Sequence, residues 1–264
     1  MASLPDTDYR NLLVTQDDPA ARIVLNRPEK RNALSLELMD DMIAALHDVS
    51  AWRATRAIVI EGAGPAFSAG HDLSEMIGRE KAFLDQLFDR CTVMMETIHG
   101  VPQPVIAKVH GIATAAGCQL VAACDLAVAA EGTRFATPGV KIGLFCSTPM
   151  VPVSRAVGRK RAMQMLLTGE PIDAATALDW GLVNRVVPRE ELEPAVLELV
   201  DAISRSSAYT VATGKQAFYS QIDRAEDAAY EHCKLVMTEN AIAHDAQEGM
   251  TAFLQKREPV WRGE

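Results

Sequence analysis

The sequence predicts an α/β fold, a sheet with helical cover followed by a purely helical C-terminal part. Two observations predict it: short β-branched runs alternate with longer helical patterns, and strand signals stop near Pro188. A chain of 264 residues buries roughly three quarters of the surface that its unfolded form exposes, so its core needs no disulfide or metal staple.

The strands are read in order as Arg22 to Leu25, Ala57 to Ile60, Val105 to Val109 and Leu126 to Ala129. Between the first two, Leu36, Met39, Ile43 and Leu46 recur at spacings of three and four. They mark the buried stripe of a helix that Ser35 caps. A small-residue turn, Phe67 to Leu73, follows the second strand, and Asp72 with Glu75 forms a capping pair that starts a helix there. A second such turn, Gly111 to Gln119, follows Val109 and runs into a helix through Leu120 to Ala123. Beyond Pro188 the helices break near Ser204 to Ser207 and again from Gln221 to Arg224.

Composition bounds the partners. A net charge of -9 is the wrong sign for phosphate backbones, so nucleic acid is not expected. No run of eighteen apolar residues occurs, which argues against a membrane-spanning helix. Cys91, Cys118, Cys124, Cys146 and Cys233 include no C-x-x-C pair and read as reduced thiols, and no His/Cys cluster has metal-ligand spacing. Met1 to Arg10 shows no export or organelle pattern, so the cytoplasm is the expected compartment.

The two turns share a physical design. A helix start leaves peptide N–H groups unpaired and carries partial positive charge. If two such ends converge, their amides can grip one developing oxyanion from two sides, each donor lowering the barrier by roughly 3 to 4 kcal/mol. Spacing alone also fits two ordinary strand-to-helix turns.

The run Asn26-Arg27-Pro28-Glu29-Lys30-Arg31-Asn32-Ala33-Leu34, the segment Ala66 to Leu73, the stretch Gly111 to Asp125 and the tail Phe253 to Arg257 resemble, in order, four motifs of the enoyl-CoA hydratase/isomerase (crotonase) superfamily. Within it the chain is most similar to the enoyl-CoA hydratase domain-containing subgroup. The resemblance implies a ClpP/crotonase-type spiral of β-β-α turns over residues 1–200 with the acyl-CoA site, and a helical trimerisation region over 201–264. It places the oxyanion N–H donors on His71 and Ala116. Lys30, Arg31, Ala33, Ala69, Asp72 and Leu73 lie near the coenzyme A moiety, and Phe253 and Lys256 reach a neighbouring subunit's ligand. It further implies a homotrimer or dimer of trimers, an acyl-CoA thioester substrate and no covalently bound cofactor, with fatty acid metabolism as the setting.

The same resemblance marks a departure. Where hydrating members carry two glutamates, this chain has Gln119 and Gly139. An amide cannot exchange a proton at neutral pH and glycine has no side chain. Two missing acid-base groups, on the order of 10² to 10⁴ in rate each, cost about 5 to 11 kcal/mol together.

The resemblance therefore implies an enoyl-CoA hydratase-like lyase or isomerase that stabilises a thioester enolate. A lapsed CoA-thioester binder, or other chemistry on the scaffold such as decarboxylation, is the alternative. Side chains weighed as substitutes are the His71 imidazole, Asp72 (against its role as a helix cap), Glu75 and Glu80 on the following helix, and the Cys146 thiol, which would need a lowered pKa to be a nucleophile.

Overall fold

The computed structural model describes residues 9–264, so the N-terminal segment Met1 to Asp8, on which the expectation about targeting partly rests, lies outside the described residues. The chain begins with an antiparallel hairpin, β1 (Leu12–Asp17) and β2 (Ala20–Leu25). Parallel strands β3 (Ala57–Gly62), β4 (Val105–Val109), β6 (Leu126–Ala130) and β9 (Arg185–Val187) extend it to six strands in the order β1-β2-β3-β4-β6-β9. A smaller sheet holds β5 (Ile112–Thr114), β7 (Arg134–Ala136) and β8 (Ile172–Asp173).

This pairing makes the chain spiral. β4 lies in the large sheet and β5, three residues on, in the small one; β6 and β7 repeat the step. The segment after β3 begins the same step, because Ser68 bridges to Ala113 beside β5. The mixed α/β spiral agrees with the predicted class, and all four predicted strands are present. β1, β5, β7, β8 and β9 were not predicted, being edge or two- to three-residue strands that carry little periodicity of their own.

The period of two along β3 sorts its side chains onto two cores. Ile58 and Ile60 face α1 (Leu36–Ser50) and α2 (Lys81–Gly100), with Leu38, Met39, Met42, Leu46, Leu87 and Met94 fully buried. Ala57 and Val59 face the opposite way, onto Leu192, Val196 and Val200 of α7 (Leu192–Ser204). Each fully buried aliphatic side chain contributes roughly 1.5 to 3 kcal/mol. Ser35 caps α1 as predicted, its Oγ accepting from the Leu38 amide at 3.2 Å.

After β9 the described chain is helical: α7, then α8 (Ala208–Gln221), α9 (Glu226–Ile242) and α10 (His244–Gln255), the first two breaks lying where the sequence places them and a third, at Ala243, not predicted. α8 and α9 bury no residue fully and leave Phe218, Tyr230, Leu235, Met237 and Ile242 exposed. α8 is pinned to the spiral by a buried ion pair. Lys215 Nζ lies 2.7 Å from Asp125 Oδ2 and donates to the carbonyls of Ile98 and Gln103, while Tyr219 donates to Asp125 Oδ1 at 2.7 Å. No helix among the described residues is long and apolar enough to cross a membrane.

Candidate active site

The first turn is a short ladder between two loops. The Ala69 amide donates to the Arg31 carbonyl at 2.9 Å, Leu34 to Gly70 at 2.8 Å, and Asp72 to Leu34 at 3.0 Å. Leu34 thus bonds the residues on either side of His71, so the His71 amide points away from Leu34. Among the described residues it donates to no protein acceptor.

The second turn lies against the first. The Thr114 amide donates to Ser68 O at 3.0 Å, its hydroxyl to Ala69 O at 3.1 Å, and the Ser68 amide to Ile112 O at 3.2 Å. Ala115 holds the positive φ of 50° with ψ of -120°, a sparsely populated conformation for a residue with a β-carbon. It turns the chain from β5 into α3 (Ala116–Ala123), whose first amide, on Ala116, also has no acceptor among the described residues. The Ala115 amide is held by Ala136 O at 2.9 Å, so the strain is anchored in β7.

Glycine makes the contact possible. A β-carbon on Gly70, at φ +93°, would lie 2.8 Å from Ala115 Cβ and 3.1 Å from the Ala116 nitrogen. One on Gly117 would lie 2.3 Å from Ser68 O. The residues flanking the two free amides are therefore in van der Waals contact, and α3 adds its positive N-terminal end there.

Residues with no strong signal of their own brace this geometry. Asn32 Nδ2 donates to Ala63 O and Ala66 O at 2.9 and 2.8 Å, and Ser68 Oγ donates to Asn32 O at 2.9 Å. Arg27 pairs with Asp72 at 2.9 Å and donates to Ala33 O at 2.6 Å. Only the run of motifs marked this region, because polar residues that fold back onto nearby carbonyls have no periodicity.

The remaining predicted residues divide between these turns and more distant places. Lys30 and Arg31 are exposed on the first turn, Arg31 with a left-handed φ of 50°, while Ala33 and Ala69 line it and Leu73 is exposed beyond it. The Asp72 carboxylate is committed: it accepts from Ser74 and pairs with Arg27. Burial opposes its charge but these partners prevail, holding it below the usual range. The helix it caps spans only Leu73–Glu75, and Glu75 does not complete a capping box, because its carboxylate accepts from the Leu36 amide at the start of α1 at 2.9 Å. Glu75 is thus tied to α1, and Glu80 is exposed ahead of α2. Phe253 and Lys256 are exposed at the C-terminal end of α10.

The His71 side chain is not placed as the acid-base substitute weighed for it. Its ring stands edge-on to Phe88, 5.6 Å between centroids, and both ring nitrogens are buried without a hydrogen bond. Burial lowers its pKa to about 4 against a weak opposing pull from the Leu34 carbonyl, so the ring is neutral and faces protein rather than solvent.

Gln119 is buried on α3, and its Oε1 lies 3.8 Å from Cys91 Sγ of α2. Burial pushes the Cys91 thiol up to about 12, so it is a neutral donor to that amide. Gly139 is enclosed: a β-carbon there would lie 1.9 Å from Leu144 O and 2.8 Å from Cys146 Sγ. The Gly139 amide donates to Cys146 Sγ at 3.3 Å. Burial raises the Cys146 thiol and this bond offsets it only in part, so Cys146 is the buried, protonated thiol weighed from sequence against an activated nucleophile. No group of three or more His, Cys, Asp or Glu residues among the described residues is placed to hold a metal ion.

A cavity of about 430 Å³ lies elsewhere, lined by Gln221, Arg224, Glu226, Ala229, Tyr230 and Cys233 between α8 and α9. Its lining includes none of the residues of the two turns.

The profile of the family described as "Enoyl-CoA hydratase/isomerase" matches residues 16–264. The chain is 47% identical over 250 residues to the Danio rerio enoyl-CoA hydratase domain-containing protein 3, mitochondrial, covering 94% of this chain and 86% of that protein. A solved enoyl-CoA hydratase from Mycobacterium smegmatis superposes with a TM-score of 0.93 at 45% identity, covering 95% of this chain and 98% of that one. The human enoyl Coenzyme A hydratase domain-containing protein 3 superposes equally well, at 0.93 and 45%, over 96% of this chain and 100% of that one. The Danio rerio protein and its Rattus norvegicus and Homo sapiens counterparts are named mitochondrial, which overturns the expectation of a cytoplasmic compartment.

Proposed function

The chain belongs to the enoyl-CoA hydratase/isomerase family, and from that premise we propose that it binds an acyl-CoA thioester and stabilises its enolate between the amides of His71 and Ala116. The observation that carries this reading is the pair of unbonded amides on touching turns, with no side chain on Gly70 to separate them. A thioester oxygen between them accepts from both. As negative charge grows on that oxygen, the amides and the end of α3 stabilise it without reorganising, by roughly 3 to 4 kcal/mol per donor.

The coenzyme A moiety runs along the first turn, with Lys30 and Arg31 toward its phosphates and Ala33, Ala69 and Leu73 along its chain. Asp72 acts there through Arg27, which it orients. The exposed apolar faces of α8 and α9 pack on further copies in a trimer or a dimer of trimers, and Phe253 and Lys256 reach a neighbour's ligand from α10. Coenzyme A enters as part of the substrate and no cofactor is covalently attached.

Proton transfer is where this site departs from a hydratase. Gln119, Cys91 and His71 are uncharged near neutral pH, and Gly139 brings only backbone. Gln119 can orient a water through its amide but cannot take its proton, which makes hydration of a plain enoyl thioester slow. This neutrality favours one second reading, a CoA-thioester binding protein that no longer turns its ligand over.

Incubating the protein with a panel of acyl-CoAs, with calorimetry for binding and mass spectrometry for products, tests both readings. Binding with a mass change supports the enzyme, and binding without change on any thioester supports the binder. Folded protein that binds none overturns the acyl-CoA assignment.

A further inference from the structure

The last helix and the segment after it form a hairpin. The chain reverses at Lys256, which takes a left-handed φ of 54° where glycine is usual, and residues 257–264 run back along α10. Arg257 pairs with Glu248 at 2.6 and 2.8 Å, and the Val260 amide donates to the same carboxylate at 2.8 Å. A β-carbon on Gly249 would lie 3.0 Å from the Trp261 ring, so glycine lets the returning segment lie flat on the helix.

One carboxylate anchors the hairpin at its base. Asp245, 1% exposed, accepts from the Arg262 and Gly263 amides at 2.8 and 2.9 Å and from the Ser207 hydroxyl at 2.6 Å, and its own amide donates to Glu264 O at 2.9 Å. Ser207 is the N-cap of α8, and Trp261 Nε1 donates to Arg205 O at 2.7 Å. These bonds join the returning segment, the base of α10 and the turn between α7 and α8. Apolar packing within the chain does little to orient α10, since its buried residues are Asp245 and Ala252 alone. Asp245 lies roughly 16 Å from Lys256 along the helix axis, so a tilt of about 10° at the base moves the tip by about 3 Å, more than a hydrogen bond tolerates.

Resting on the reading in which Phe253 and Lys256 reach a neighbouring subunit's coenzyme A, we infer that residues 257–264 are a strap whose clasp on Asp245 sets where α10 presents those two side chains. Asp245 and Trp261 are thereby positioning residues for a ligand that they do not touch. The charges at the tip suit an anion. Arg257 is committed to Glu248, which leaves Lys256 as the cation on offer, and among the described residues Lys256 pairs with no carboxylate. A phosphate of the coenzyme A nucleotide is the group that such a cation meets.

The test is calorimetric titration of the intact protein with butyryl-CoA and with S-butyryl-pantetheine, which lacks the nucleotide phosphates. Lys256→Ala is expected to weaken butyryl-CoA by about five- to tenfold and to leave butyryl-pantetheine within about twofold. Asp245→Asn is expected to reproduce that pattern, because each carboxylate oxygen accepts from a backbone amide and an asparagine nitrogen cannot. The double variant is expected to lose no more than Lys256→Ala alone, as for two residues acting through one contact. Faster hydrogen exchange at the Arg262 and Gly263 amides reports release of the strap, and Trp261→Ala repeats the comparison should Asp245→Asn fold poorly. A released strap with unchanged butyryl-CoA affinity, equal losses on both ligands, or losses that add in the double variant overturns this inference and leaves the acyl-CoA reading standing. Failure of the wild type to bind either thioester overturns both.

Discussion

The carbonyl oxygen of Leu144 occupies the space that a side chain on Gly139 would need: a β-carbon there would lie 1.9 Å from it. The position that the resemblance marks for a glutamate is thus closed by backbone, and the loop from Gly143 to Ser147 is folded into it.

Gly139→Ala is expected to destabilise the protein by about 1 to 3 kcal/mol, since backbone must move to admit the methyl group. Gly139→Glu is expected to displace the loop and fail to restore hydration. Gln119→Glu alone, at a position that already holds a side chain of the same length, is expected to raise crotonyl-CoA hydration by about 10². Urea melts and the decay of enoyl-thioester absorbance check both, and a gain from Gly139→Glu as large as that from Gln119→Glu would refute the closed position.

Replacing Ala116 by L-lactate turns its amide into an ester, deleting the N–H while keeping the shape. Turnover of whichever acyl-CoA the panel identifies is expected to fall by about 10² to 10³. If it is ligand binding alone that the protein performs, the same change weakens thioester affinity. An unchanged protein in both assays would exclude Ala116 as a donor.

His71 couples stability to pH. Its folded pKa, about 4, lies below the ordinary value of roughly 6.5, so between these values the unfolded chain binds more protons. The contribution is present above about pH 6.5 and is lost as pH falls toward 4, up to about 3 kcal/mol on a scale of roughly 1.4 kcal/mol per unit. His71→Phe is expected to show a flatter decline of melting temperature across that window. Proton NMR is expected to show no His71 titration near pH 6.5.

Lys215 ties the helical region to the spiral, 2.7 Å from Asp125 with 6% of its side chain exposed. Lys215→Met leaves the Asp125 charge with only Tyr219 and the Val105 amide as donors, and is expected to cost about 3 to 5 kcal/mol. Adding Asp125→Asn is expected to recover part of that loss. Hydrogen exchange of the α8 amides reads the undocking directly.

The sequence by itself determined the α/β class, the four central strands, the cap at Ser35 and the helical C-terminal region. Each of these is a local pattern, of period two or 3.6, bounded by turn residues. It also drew attention to two small-residue turns, because glycine and alanine clusters leave a mark in composition. What only the tertiary structure decided was which atoms meet across those turns. Gly70 lies against Ala116, 46 residues further along the chain, beside the isolated bridge between Ser68 and Ala113. The same holds for side chains whose chemistry depends on surroundings. Glu75 is bound to Leu36, His71 is neutral because protein encloses its ring, and Gly139 is filled by Leu144. Burial and long-range contact set charge and available space, and neither is a property of a residue or its neighbours in the chain.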